Sequence, residues 1–420
     1  MRPLLHFTPR AGWMNDPNGL VQLGGRHHLF YQANPHGTRF ASMCWGHAVS
    51  TDLLRWEQLP TALTPGQPYD QFGCWSGVTV DVDGRRGLLY TGVAQGGELQ
   101  LPCLAWAADD DLIAFVKDPA NPLMAARPFP DEEIVAFRDH CVTRDGRWRQ
   151  LIGGGTRTHG GVLFIYRSDD FRHWSYSGLL SDSGRTPIPG PIWECPDVFT
   201  MDRRSAMIVS VLDAPSHVSY WAVGEDAGDE FRSEATGLLD VGDHFYAPQS
   251  YLTDDGRRIM FGWVRTQLDP GWQGREWLGT ISLPREVTIG ARTVDLAPAR
   301  ELQQARGASR PVRVDESGTT RIDTGELACF ELRVELTPAT DLRAVTFEGP
   351  QERFVVPLSA FTRERDEPAA LSVVFDCGIV EAFLAGEAGT WSNGAWEQVG
   401  RIVLEHAGPA PGAVIVWPLS

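Results

Sequence analysis

The sequence predicts an all-β chain, a five-bladed β-propeller followed by a C-terminal β-sandwich. Three observations lead there. Helical periodicity is scarce, and short β-rich runs are punctuated by Gly, Asp and Asn. A run–turn–run unit recurs five times. A second, aromatic-ended segment keeps the same period.

In the first unit Leu20-Val21-Gln22-Leu23 and His28-Leu29-Phe30-Tyr31 flank Gly24-Gly25-Arg26. In the second, Val78-Thr79-Val80 and Leu88-Leu89-Tyr90 flank Asp83-Gly84-Arg85. Further copies turn at Asp145-Gly146-Arg147, Asp202-Arg203-Arg204 and Asp255-Gly256-Arg257. The turn centres at 24, 84, 146, 203 and 256 lie 60, 62, 57 and 53 residues apart. Gly takes positive φ without strain, so Xaa-Gly between alternating runs predicts hairpins. The second marker, Ser50-Thr51-Asp52-Leu53-Leu54-Arg55-Trp56, resembles Ser168-Asp169-Asp170-Phe171-Arg172-His173-Trp174, with weaker copies ending at Phe115 and Phe231. These aromatic positions are spaced 59, 59 and 57. Two independent markers with one period describe five units of about four strands each, the blades of a propeller.

The repeat fades after about residue 290. The stretch from Leu296 to Gly307 reads as a short helix or linker, and β-like runs return at Cys329–Val334, Val373–Phe375 and Gly412–Trp417. A β-sandwich fits that remainder. The expected division is a propeller over 1–294, a linker over 295–307 and a sandwich over 308–420.

At 420 residues the chain exceeds one ordinary core, and 42% hydrophobic with 22% charged residues suits a globular protein. The formal charge, 37 − 54 = −17, argues against nucleic acid as a partner. No stretch approaches 18 consecutive apolar residues, so no membrane span is expected. The start, Met1 to His6, has no apolar segment of signal-peptide length, and the seven scattered cysteines form no CxxC pair. Free thiols in a reducing cytoplasm are the expectation, with oligomeric state left open. The eleven histidines show no HxH or HExxH spacing, so neither a metal nor a cofactor is expected. Gly153-Gly154-Gly155 lacks the Lys-Ser/Thr of a phosphate loop and reads as a close-packed turn.

First strands of propeller blades converge on the axis. The residues just before each hairpin are Asn15-Asp16, Trp75-Ser76, Arg138-Asp139, Trp193-Glu194 and Tyr246. Taken singly these are bland: Asn15-Asp16-Pro17-Asn18-Gly19 is a turn sequence, and Arg138-Asp139 suits a surface ion pair. Taken in phase, they bring three carboxylates, an arginine and aromatics to one place. Converging carboxylates raise the pKa of at least one through repulsion and desolvation. Glycoside hydrolysis needs such a pair, one ionised to attack and one protonated to donate.

These residues also resemble a known family. Trp13-Met14-Asn15-Asp16-Pro17-Asn18-Gly19, Phe30-Tyr31-Gln32, Trp45-Gly46-His47-Ala48, Trp75-Ser76-Gly77 and Arg138-Asp139 look like the invertases and fructanases, glycoside hydrolase family 32. So do Trp193-Glu194-Cys195-Pro196-Asp197, Tyr246-Ala247-Pro248-Gln249, Gly262-Trp263 and Leu283-Pro284-Arg285-Glu286. The resemblance implies the same propeller and sandwich, and a retaining β-fructofuranosidase acting on sucrose or short fructo-oligosaccharides such as inulobiose. It implies Asp16 as nucleophile, Glu194 as acid/base and Asp139 as the group that holds fructose hydroxyls. Trp13, Asn15, Gln32, Phe40, Trp75, Ser76, Arg138, Tyr246 and Trp263 would line the sugar subsite, with Cys195 tuning Glu194. Two positions depart from the pattern: His140 stands where the family usually has Pro after Arg-Asp, and Phe40 where a loop usually presents Trp. The competing expectations are a fructosyltransferase, a sucrose-6-phosphate hydrolase and, from another class, a non-catalytic carbohydrate-binding propeller.

Overall fold

The computed structural model describes residues 1–124, 127–128, 133–212, 217–349, 352–363 and 368–420, leaving aside the side chain at 326. Strand accounts for 59% of it and helix for 4%. The first four-stranded antiparallel set runs Gly12–Leu23, Arg26–Asn34, Cys44–Ser50, Glu57–Leu63, with Trp277–Leu278 parallel to its first strand. The second is Gly73–Val82, Arg85–Ala94, Leu99–Ala107, Phe115–Lys117. The third, Ile134–Arg144 through Ser175–Asp182, and the fourth, Trp193–Met201 through Phe231–Leu238, are joined by the single pair Gly154–Trp193 into eight strands. The fifth pairs Phe245–Leu252, Arg258–Val264, Arg285–Ile289 and Val294–Pro298, so this sheet continues past residue 294. A 3₁₀ turn, Arg300–Ala305, follows.

Local chemistry explains the repeat. The five expected hairpin turns each carry positive φ: Gly24 at 57°, Gly84 at 90°, Gly146 at 96°, Arg203 at 72° and Gly256 at 84°. At the second marker, Asp52 Oδ1 accepts from the N–H groups of Leu54 and Arg55, and Asp170 Oδ1 from those of Arg172 and His173. Trp56 and Trp174 donate to the carbonyls three residues back, at 3.1 and 3.2 Å. Both segments link the third and fourth strands of their sheets. They are side-chain-capped turns, which is why a short polar residue and an aromatic recur at fixed offsets.

Gly153-Gly154-Gly155 is not a turn. It lies inside the strand Trp148–Thr156, where a Cβ would come within 2.6 Å of Trp193 O, 2.2 Å of Ala136 O and 2.1 Å of Pro191 O. Neighbouring backbones on both sides leave no room for side chains.

The five first strands touch in a closed order. Gly12–Leu23 meets Gly73–Val82, which meets Ile134–Arg144, then Trp193–Met201, then Phe245–Leu252, which returns to Gly12–Leu23. C-terminal to them, a six-stranded sheet built on Cys329–Leu336 and Ala369–Asp376 and a four-stranded sheet built on Asp341–Glu348 and Val399–Ala407 share one core. Phe330, Leu332, Phe347, Phe375, Ile402 and Leu404 fill it.

The two parts are locked by a buried ionic network. His6 Nδ1 is 2.8 Å from Asp376 Oδ2, and His6 Nε2 is 3.0 Å from Glu381 Oε1. Arg285 bonds Glu381 and Asp240, each at 2.7 Å. Asp376 also accepts from the N–H groups of Leu4, Leu5 and His6, and Glu381 from that of Leu283. Removing one partner of such a buried group leaves an uncompensated charge, at a cost of about 3–5 kcal/mol.

Candidate active site

Each first strand breaks register at the residues singled out above. Asn15 and Asp16 sit between the paired Met14 and Pro17, opposite Gln32. Ser76 falls between Trp75 and Gly77, and Asp139 between Arg138 and His140. Cys195 and Pro196 fall between Glu194 and Asp197, and Ala247 and Pro248 between Tyr246 and Gln249. Each break adds one residue to the first strand relative to its partner. Such a bulge twists the strand and re-aims a side chain. Asp139, Cys195 and Ala247 take φ of 59°, 47° and 49°, left-handed values that non-Gly residues adopt only when their surroundings impose them.

The bulges deliver Asp16, Asp139 and Glu194 into one cavity of about 460 Å³. Its wall includes Trp13, Asn15, Gln32 and Ser76, with Trp75, Phe40 and Arg138 beside them. Tyr246 and Trp263 complete the group expected from the sequence. Phe40 packs edge-on against Trp75, centroids 5.8 Å apart, and is 51% exposed at the rim. A larger cavity of about 760 Å³ lies farther along the same strands, but its acids are tied off: Asp197 by Ser250, Asp226 by Arg149, Asp145 by Arg167.

Each carboxylate has a distinct environment. Asp16 Oδ2 accepts from Ser76 Oγ at 2.7 Å and lies 3.6 Å from Cys195 Sγ. Asp139 Oδ2 accepts from the Cys195 N–H at 2.9 Å and its thiol at 3.4 Å. Glu194 Oε1 takes Arg138 Nε at 2.8 Å and Nη2 at 2.6 Å, and Glu194 Oε2 accepts from the Tyr246 hydroxyl at 2.6 Å. Arg138 thus pairs across the cavity with Glu194 rather than with its neighbour Asp139. The Cys195 thiol contacts the two aspartates.

Burial pushes Asp139 up to about 7, helped by the negative charges of Glu194 and Asp16 and opposed by Arg138. Burial also raises Asp16, hydrogen bonds from Ser76 and Asn15 opposing it and Glu194 adding to it. A repulsive, poorly solvated acid cluster is therefore built into the fold.

Sequence reasoning missed Leu212, His217, Arg265, Gln267 and Leu268 on the same wall. Arg265 lies two residues beyond Trp263, and strand alternation was a signal for it. Its Nη2 donates to the carbonyls of His217 at 2.9 Å and Asp243 at 2.8 Å. Gln267 and Leu268 sit in the 3₁₀ turn Thr266–Leu268, which no local pattern announces.

The sequence matches the Glycosyl hydrolases family 32 N-terminal domain over residues 6–298. It is 35% identical to the raffinose invertase of Escherichia coli over 74% of this chain and 67% of that protein. It is 29% identical to the sucrose-6-phosphate hydrolase of Salmonella typhimurium over 99% of this chain and 93% of the relative. Among solved structures, a Bombyx mori β-fructofuranosidase superposes with a TM-score of 0.82 at 24% identity, over 100% of this chain and 94% of its own. The sucrose-6-phosphate hydrolase of Lactobacillus gasseri superposes at 0.84 and 20% identity, over 100% and 93%. These two share the fold. With the match over residues 6–298 and a cavity holding three in-phase acids, the chain belongs to glycosyl hydrolase family 32 and is a glycoside hydrolase.

Proposed function

We propose that this chain is a retaining β-fructofuranosidase that removes terminal non-reducing β-D-fructofuranosyl residues from sucrose or short fructo-oligosaccharides such as inulobiose. The observation that carries the reading is the meeting of Asp16, Asp139 and Glu194, from three different strands, in a cavity with open hydrogen-bonding capacity. Gln32 Oε1 and Gln267 Oε1 are acceptors, Trp263 Nε1 and Arg265 Nε are donors, and all four are buried without a partner. A buried polar atom left alone is costly, and sugar hydroxyls both donate and accept. The names of the invertase and β-fructofuranosidase relatives agree with this reading.

In the proposed reaction Asp16, aimed by Ser76, attacks the anomeric C2 of fructose. Glu194 gives its proton to the leaving oxygen, then takes one from the water that opens the fructosyl ester. Asp139 holds fructose hydroxyls, and Arg138 and Tyr246 hold Glu194. The platform is a five-bladed propeller, supported by the closed order of first strands, with a sandwich made of the two sheets that share a core. The proposed division is a propeller to residue 298, where the fifth sheet ends, a linker over 299–307, and a sandwich over 308–420. Seven free thiols suit the cytoplasm, and no metal or organic cofactor enters the scheme.

Fructose release across sucrose, sucrose 6-phosphate, inulobiose, inulin and levan tests the substrate, and proton NMR of the first product tests the stereochemistry. β-Fructofuranose appearing first is expected. Initial α-anomer would mean inversion with Asp16 as a base, and release from none of the panel would remove the fructosidase reading. Sucrose 6-phosphate is the second substrate reading, favoured by the name of the relative spanning 99% of the chain and by Arg265, whose bonds to the His217 and Asp243 carbonyls leave its charge unneutralised by them.

A further inference from the structure

His140 follows Asp139 in its strand, behind the cavity wall, where it is 2% exposed, and Thr91 and Gln150 beside it are fully buried. Its ring bridges two polar side chains: Nε2 lies 3.1 Å from Thr91 Oγ1, and Nδ1 3.0 Å from Gln150 Nε2. Counting protons orders the chain of bonds. With the Gln150 amide nitrogen turned to the ring and its Oε1 buried without a partner, that nitrogen donates, His140 Nδ1 accepts and the ring proton is assigned to Nε2. The single Thr91 hydroxyl proton goes to the Ser76 carbonyl at 3.0 Å. Thr91 Oγ1 therefore accepts from His140, and also from the Asp139 N–H at 3.0 Å.

One hydroxyl thus ties together the two backbones whose aim matters here. Asp139 is the extra residue of its bulge and holds the unfavourable φ of 59°. Ser76 is the extra residue of its own bulge, and its hydroxyl bonds Asp16. We propose that His140 is a positioning residue which, through the Thr91 hydroxyl, sets the aim of Asp139 and of the Ser76–Asp16 pair. Burial pushes the imidazole down to about 3 against the pull of the Tyr90 carbonyl. The ring is neutral at working pH and contributes a fixed hydrogen bond, not a proton.

The proposal rests on the fructosidase reading. The test takes the full chain, with sucrose as substrate, and measures kcat, KM, the pH profile and Tm. His140→Leu is expected to lower kcat about tenfold or more with KM within about threefold, because the loss is one of transition-state geometry. The limb of the pH profile nearest 7 should move towards acid as water reaches Asp139. His140→Gln, which keeps an N–H donor, should recover part of kcat. The double variant His140→Leu/Thr91→Val should be no worse than Thr91→Val, since both act through one hydroxyl. Wild-type kcat and pH profile in His140→Leu, whatever its Tm, would overturn the proposal, as would strictly additive losses in the double variant. Should His140→Leu fail to fold, Thr91→Val losing kcat with Thr91→Ser restoring it supports the relay, and Thr91→Val with wild-type kinetics overturns it. A wild-type chain inactive on every β-fructofuranoside would remove both readings; an active wild type with an indifferent His140→Leu removes this one alone.

Discussion

The chain buries carboxylates in two places and treats them oppositely. At the junction, Asp376 and Glu381 are met on every side, by His6, by Arg285 and by backbone N–H groups. Burial alone would raise both, but these partners hold them below the ordinary carboxylate range. Asp240, which shares Arg285 with Glu381, is the intermediate case, and burial raises it. In the cavity, Arg138 is committed to Glu194. Asp16 and Asp139 are left with hydroxyl, thiol and amide donors, and both are raised. The difference teaches that a buried acid surrounded by cations and amides holds the fold together, whereas one short of cations stores electrostatic strain available to chemistry.

Substitution at the two places should therefore fail in different observables. The largest effect is expected for Asp16→Ala and Glu194→Ala, each lowering kcat on sucrose by about three orders of magnitude or more. The melting profile of Asp16→Ala should stay near wild type, whereas Glu194→Ala also leaves the buried Arg138 without its partner and should melt lower. Glu194→Ala should lose less on an activated aryl fructoside, whose leaving group needs little protonation. Near wild-type sucrose hydrolysis by either variant would end the assignment.

Next come Asp376→Ala and Glu381→Ala, expected to cost about 3–5 kcal/mol of unfolding free energy in denaturant titrations. The folded fraction should keep kcat within about twofold, so a lost kcat with unchanged stability would erase the contrast. The same network has a pH signature. For His6, burial alone lowers the pKa, but Asp376 and Glu381 outweigh it and raise it to about 9 from 6.5. A raised base stabilises fully below its unfolded pKa and loses that contribution as pH rises through the folded one. The wild-type Tm should carry a decline between about pH 6.5 and 9 that His6→Gln lacks.

Asp139→Asn sits between the two classes. It should lower kcat/KM by about a hundredfold, since hydroxyl contacts that strengthen in the transition state are weakened. Its stability should move the other way. Between pH 3.8 and about 7 the folded state keeps a proton on Asp139 that the unfolded chain has released, so wild-type stability falls as pH rises through that interval. Asn carries no such penalty: its Tm advantage should be largest near pH 8 and vanish towards pH 4. A Tm below wild type at pH 8 would show that Asp139 is structural. The smallest effect is expected for Gln267→Leu, a roughly fivefold rise in KM with kcat nearly unchanged, from one lost hydroxyl partner. A kcat loss larger than the KM change would place Gln267 nearer the chemistry.

What the sequence determined by itself was whatever local rules control. The turn centres were legible because positive φ at Gly24, Gly84, Gly146 and Gly256 is a property of single residues, and the second marker because Asp52 and Asp170 bond N–H groups within three residues. The period then placed Asp16, Asp139 and Glu194 at equivalent points. Tertiary structure alone decided the rest. The bulges aim those acids, and they exist only where strands pair. Arg138 reaches Glu194 instead of the adjacent Asp139, and the Cys195 thiol meets Asp16 across 179 residues. Arg265 and Gln267 face the cavity that holds the three acids, and His6 finds Asp376 and Glu381 from 370 and 375 residues away. Hydrogen bonds and charges act over a few ångströms of space, and sequence distance carries no information about which of them a closed fold will bring together.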